Sequence, residues 1–117
     1  MDGYTDSLRG YGYDINKRDG FRCRYCGWDG SKWQNWLYLS VDHLLPKGHP
    51  ERNNPEYIVT ACFFCNVADN QYFKKATERG VNFEGKTQDE LVEQRCKYVM
   101  DVRNKYQKLW EKRVKPA

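Results

Sequence analysis

With 117 residues, 31% of them charged and 39% apolar, the chain suits one domain with a modest core, and a core of that size usually needs a staple. A net charge of +4 is too mild to decide between nucleic acid and other partners. No apolar run approaches the roughly 20 residues that cross a bilayer, and the opening MDGYTDSLRG is polar and acidic, unlike a signal peptide. We therefore expect a cytoplasmic protein without membrane partners, in which thiols stay reduced and the five cysteines serve something other than disulfides.

Residues 1–16 read as an N-terminal arm rich in Gly, Tyr and Asp, with a short helical turn over Asp14 to Asp19 that Gly20 ends. Phe21 to Gly27, FRCRYCG, is a tight cysteine turn around which Trp28, Trp33, Trp36 and Tyr38 are expected to pack. Leu37, Leu39 and Val41 alternate with Tyr38 and Ser40, the period of a strand. Pro46, Gly48 and Pro50 make Leu44 to Pro55 a loop, in which His49 is expected to face solvent. Tyr57 to Ala61, YIVTA, is β-branched and aromatic and reads as a second strand. From Phe63 the pattern is helical to about Lys75, and Gly80 and Gly85 bracket a linker.

Thr87 followed by Asp89 and Glu90 is a helix N-terminus. Leu91, Val92, Arg95, Val99, Val102, Tyr106 and Leu109 recur at helical spacing, which predicts one amphipathic helix from about 88 to 113, with the stem of Arg95 along the core. Its last stretch carries Lys97, Arg103, Lys105, Lys108, Lys112, Arg113 and Lys115 against only Asp101 and Glu111. That surface suits a polyanion, and on charge alone a solvated helix face serves equally well.

Cys23 and Cys26 form one CxxC pair, and Cys62 and Cys65 another. Two such pairs deliver the four soft ligands of a tetrahedral structural zinc site, which would supply the stability that a small core lacks. Cys96 has no partner in this pattern and is expected to be a buried free thiol. A closed four-cysteine site explains folding and leaves any activity to other residues.

Those residues lie between and just after the cysteines. Asp42 and His43 are adjacent at the end of a strand, where neighbouring side chains point to opposite faces, and Asn66 follows Cys65 directly. DGFRCRYCG, VDHLLPKG and YIVTACFFCN, in that order, resemble the HNH endonucleases over about Lys17 to Asn70. The resemblance implies an α+β fold: a small ββα-metal (His-Me finger) core with a structural zinc site, here with a long C-terminal helix appended. The chain would then divide into an arm (1–16), a zinc-stapled nuclease core (17–80), and a linker with a basic amphipathic helix (81–117).

The resemblance also implies roles. His43 would activate water, and Asp42 and Asn66 would hold a catalytic Mg2+ or Mn2+ on the scissile phosphate of DNA, double-stranded by expectation. Such chemistry suits a neutral imidazole as base and oxygen ligands for the metal. Asn70, four residues beyond Asn66, is a candidate on the same helix face. The family's middle Asn falls at Tyr57, so the loop brace passes to Asn53, Asn54 or Tyr57 itself. Lys47, beside the site, and Lys105, Lys108 and Lys112 are candidate DNA contacts. One site per chain cuts one strand, so double-strand cleavage would require a homodimer. The implied setting is intracellular, bacterial or phage-like. The competing reading is a zinc-ribbon module that binds nucleic acid without cutting it.

Overall fold

A two-stranded sheet sits at the centre of the computed structural model, which describes residues 12–115. β1 (Leu39–His43) and β2 (Ile58–Cys62) pair antiparallel, with Leu39 opposite Cys62, Asp42 opposite Val59 and His43 opposite Ile58. Every residue of β2 is buried, because both faces of the sheet are covered. α1 (Gly12–Arg18) lies on the face that carries Val41 and Thr60, where Thr60 Oγ1 donates to Asn16 Oδ1 at 2.9 Å. α3 (Phe63–Val67) and α5 (Gln88–Arg113) lie on the other face, which carries Ser40 and Asp42. The fold is small α+β with a long C-terminal helix, and among the described residues no helix is long and apolar enough to cross a membrane.

Several elements depart from the predicted boundaries. α1 begins at Gly12, so the expected 1–16 arm ends inside a helix whose Ile15 and Asn16 are buried; residues 1–11 lie outside the described residues. β1 starts at Leu39 and not at Leu37, since Leu37 and Tyr38 are exposed, and this puts Asp42 and His43 inside the strand as its last pair. Gly30 packs so closely against β1 that a Cβ there would lie 2.6 Å from Leu39 Cδ1. Of the four aromatics expected around the first knuckle, Trp28 packs against the core and Trp36 is half-buried, but Trp33 and Tyr38 are 69% and 61% exposed. α2 (Trp33–Trp36) buries none of its residues.

The predicted helix over 63–75 is two helices. α3 stops at Val67, Ala68 turns extended, Asp69 takes a left-handed φ of 52°, and α4 runs Tyr72–Glu78. Aspartate tolerates that conformation better than most residues, and Lys75 holds its carboxylate at 3.0 Å. The last carbonyls of a helix need new donors. Arg95 supplies them, with Nη2 reaching the carbonyl oxygens of Cys65 and Ala68.

α5 opens with a capping box: Glu90 N–H donates to Thr87 Oγ1 at 3.1 Å, and Thr87 N–H donates to Glu90 Oε1 at 2.8 Å, which satisfies two of the helix's otherwise orphan donors. Leu91, Val92, Arg95 and Val99 are buried. Beyond Arg103 every residue is exposed. A helix of 26 residues is about 39 Å long and outruns the body it packs on. Tyr106 and Leu109 thus continue the apolar stripe without a core to cover them. Arg24 ties the start of α5 to the first knuckle, donating to Gln88 Oε1 at 2.7 Å and Asp89 Oδ1 at 2.8 Å.

Candidate metal centres and catalytic face

The sulfurs of Cys23, Cys26, Cys62 and Cys65 all lie within 4.8 Å of one another, with Cys26 and Cys62 at 3.9 Å. Tetrahedral zinc with Zn–S bonds of about 2.3 Å sets its sulfurs about 3.8 Å apart, so the donor set fits a structural metal such as zinc. The first knuckle closes at Gly27, whose φ of 77° favours glycine and whose N–H bonds the Cys23 carbonyl at 2.9 Å. The second caps α3, where Cys62 Sγ accepts from Cys65 N–H. Hydrogen bonds from Cys62 and Cys65 hold the Cys23 thiol far below its ordinary range, and contact with Cys23 pushes Cys62 up to about 11. The four thiols thus compete for the same hydrogen bonds, a competition that a divalent cation bound by all four would relieve. Arg103 Nη1 lies 3.9 Å from Cys65 Sγ, a cation suited to the net negative charge of a four-thiolate site. Cys96 is half-buried and bonds the Tyr25 carbonyl at 3.4 Å, so it is less enclosed than predicted.

Asp42 and the Asn66 side chain lie on the same face of β1. Asn66 Nδ2 donates to Ser40 Oγ at 3.1 Å, and Ser40 Oγ donates to the Ala61 carbonyl at 2.9 Å. The amide nitrogen is pinned to the strand, which leaves Oδ1 available as a ligand. Ser40 and Asp42, two apart on a strand, share a face. Asp42 Oδ2 accepts from the Tyr25 hydroxyl at 2.8 Å and sits 3.5 Å from Arg95 Nε, while Oδ1 has no partner among the described residues. Burial raises the Asp42 carboxyl above its ordinary range, against the pull of Arg95 and Tyr25. Burial also holds the Tyr25 hydroxyl well above its usual range, so it stays a donor. Two hard oxygens on one face suit magnesium or manganese.

His43 occupies the opposite face, at the strand end. Burial and the nearby charge of Arg52 lower its imidazole below the ordinary value, and a hydrogen bond with the Asn53 side chain raises it part of the way back. The Leu44 N–H donates to the Tyr57 carbonyl at 2.9 Å, which closes the loop behind the histidine. Asn54 caps the 3-10 turn Pro55–Tyr57 by accepting from Glu56 N–H, and its Nδ2 donates to Glu51 Oε2. Asn54 thus braces the loop, and Asn53 lies on the His43 side of it. Tyr57 packs against the hydrophobic core, and its backbone, more than its hydroxyl, serves the turn.

Other expectations fare differently. Asn70 lies in the turn after α3, so the shared helix face with Asn66 does not exist. His49 is not solvent-facing: it pairs with Glu84 and accepts from Glu51 N–H at 3.0 Å, fixing the loop. Lys47 is exposed in that loop, and Lys105, Lys108 and Lys112 are exposed on the free end of α5, with Lys105 3.1 Å from Asp101. Sequence reasoning missed three residues, Tyr25, Arg95 and Arg52, of which Tyr25 passes for part of the cysteine turn. Arg95 reads as a packing stem in an apolar stripe, and Arg52 as one charge in a polar loop. Arg52 Nε is buried and has no hydrogen-bond partner among the described residues.

Residues 23–71 match the family model described as HNH endonuclease. No curated protein and no solved structure matches the chain.

Proposed function

We propose, from the match of residues 23–71 to the HNH endonuclease family model, that the protein is a metal-dependent DNA endonuclease of that family. One observation carries the reading: two candidate oxygen ligands, Asp42 and Asn66, lie on one face of β1, and the imidazole of His43 stands on the other face at the end of the same strand. His43, neutral near pH 7, takes the proton of the attacking water. Asp42 and Asn66 would hold a divalent cation, which would stabilise charge on the phosphate and the leaving oxygen. The unpartnered Nε of Arg52 supports an anion beside His43, as a scissile phosphate would be. Cys23, Cys26, Cys62 and Cys65 hold structural zinc. Double-stranded DNA and a homodimer for two-strand cleavage belong to the same proposal. Tyr57 at the usual Asn position favours the rival, non-cutting module, and Asn54, which caps the loop in its place, supports the nuclease reading.

Asn66 tests the metal assignment. An amide and a carboxylate oxygen suit magnesium and manganese, whereas a nitrogen ligand favours zinc, nickel or cobalt. Asn66→His is expected to shift activity toward the nitrogen-seeking metals. Asn66→Ala is expected to raise the metal concentration needed for cleavage. A metal titration of cleavage for wild type and both variants, with structural zinc confirmed in each, decides. Three superimposable titrations would remove Asn66 from the metal.

The free end of α5 supplies sequence-independent affinity in this reading. Neutralising Lys105, Lys108 and Lys112 is expected to weaken DNA binding and flatten its dependence on salt, by about one unit of slope for each phosphate no longer neutralised. The Asp101 pair leaves Lys105 usable, since exposed ion pairs are weak. An unchanged slope in binding assays from low to moderate salt would return the lysines to a solvated face.

A further inference from the structure

We infer that Tyr25 and Arg95 form a positioning pair that aims the Asp42 carboxylate at the divalent cation. Resting on the nuclease reading above, the inference extends the site to a residue beyond the family match, which ends at residue 71. Both contacts fall on the same oxygen: Tyr25 Oη donates to Asp42 Oδ2 at 2.8 Å, and Arg95 Nε lies 3.5 Å from it. With Oδ2 occupied, the carboxylate cannot rotate without giving up a hydrogen bond and an ion-pair contact, and Oδ1 is the oxygen left for the metal. Carboxylates that ligate metals are commonly fixed by such outer hydrogen bonds.

Arg95 is itself held rigidly. Its guanidinium carbon stacks 4.8 Å from the centre of the Tyr72 ring and 6.0 Å from that of Tyr25. Its Nη2 donates to the carbonyl oxygens of Cys65 and Ala68. Arg95 thereby touches the second zinc knuckle, the end of α3 that carries Asn66, and Asp42. A purely structural arginine would be expected to satisfy its buried donors, yet Nη1 is buried with no partner among the described residues. Through this residue α5 becomes part of the site and more than a brace. Tyr25 sits between two zinc ligands, so the knuckle's fold sets the hydroxyl's position.

The decisive variant is Tyr25→Phe, which removes one oxygen and keeps the buried ring. Mn2+ binding to zinc-loaded protein is measured by calorimetry for wild type, Asp42→Ala, Tyr25→Phe, Arg95→Lys and Arg95→Met, with zinc content and melting temperature recorded for each. Tyr25→Phe is expected to keep its zinc and weaken Mn2+ binding about tenfold or more. Its cleavage should recover at high Mn2+. Arg95→Lys should retain more Mn2+ affinity than Arg95→Met. Wild-type affinity in Tyr25→Phe, alongside a loss in Asp42→Ala, would overturn this inference alone. Wild-type protein that binds no Mn2+ outside the zinc site would overturn the nuclease reading and this inference with it.

Discussion

Replacing His43 by alanine is expected to lower DNA cleavage by about 10²–10⁴-fold, the usual contribution of a positioned general base, while DNA affinity stays within a few-fold. The two readouts separate because His43 stands at the end of β1, whereas the lysines that would supply affinity are on the free end of α5. The histidine also sets a pH dependence. Burial lowers its pKa below the ordinary 6.5, and the base works only when neutral. Cleavage should therefore be insensitive to His43 protonation above pH 6.5 and fall as pH drops through the depressed value. Asn53→Ala removes the one contact that raises that pKa, so its acid limb should move to lower pH, in the direction opposite to a simple loss of the base. Single-turnover cleavage across pH 5–8 checks both statements. A His43→Ala rate within tenfold of wild type would take the proton transfer away from this residue.

Cys62→Ser is expected to unfold the domain, and a strong zinc chelator to do the same to the wild type. Cys23, Cys62 and Cys65 belong to the same buried cluster as Leu44, Leu45, Val59, Leu91 and Val99, so the four-cysteine cluster and the core are one packing unit. Structural zinc contributes about 10–16 kcal/mol in zinc-finger peptides, against a total stability of about 5–15 kcal/mol for ordinary domains. The metal's share is thus comparable to the whole. Elemental analysis and circular dichroism decide: folded protein with no zinc, or a Cys62→Ser variant with native ellipticity and melting, would show that the four cysteines pack as thiols.

What the sequence discloses follows the range of the interactions. The CxxC pairs are legible because ligand spacing is local, and the Asp42–His43 pair because a strand end is. Asn66 is legible through its adjacency to Cys65. The break after Val67 is not, because the apolar pattern of Phe63, Phe64, Tyr72 and Phe73 runs through it; the break depends on Arg95, 27 residues from Ala68 in sequence, taking its carbonyl. Arg95 is hidden for the same reason: a charge in an apolar stripe looks like a stem until Asp42 is seen beside it. The stripe of α5 overshoots since periodicity records which face is apolar and not where the body ends, so Tyr106 and Leu109 read as core and lie in solvent. Asn53 is one of three candidates for the missing middle Asn, and only the loop's path brings it to His43. Trp33 and Tyr38 are large and apolar in composition, yet both are exposed among the described residues.

The central statement is that Asp42, His43 and Asn66 cut DNA with a divalent cation. Zinc-loaded protein is incubated with supercoiled plasmid, with and without Mg2+ or Mn2+, beside a gel-shift measurement on the same preparation. The account predicts nicked or linear plasmid only when the divalent metal is added. Plasmid that is bound and shifted but stays supercoiled at every metal concentration would contradict it, and would make the domain a zinc-stapled binding module.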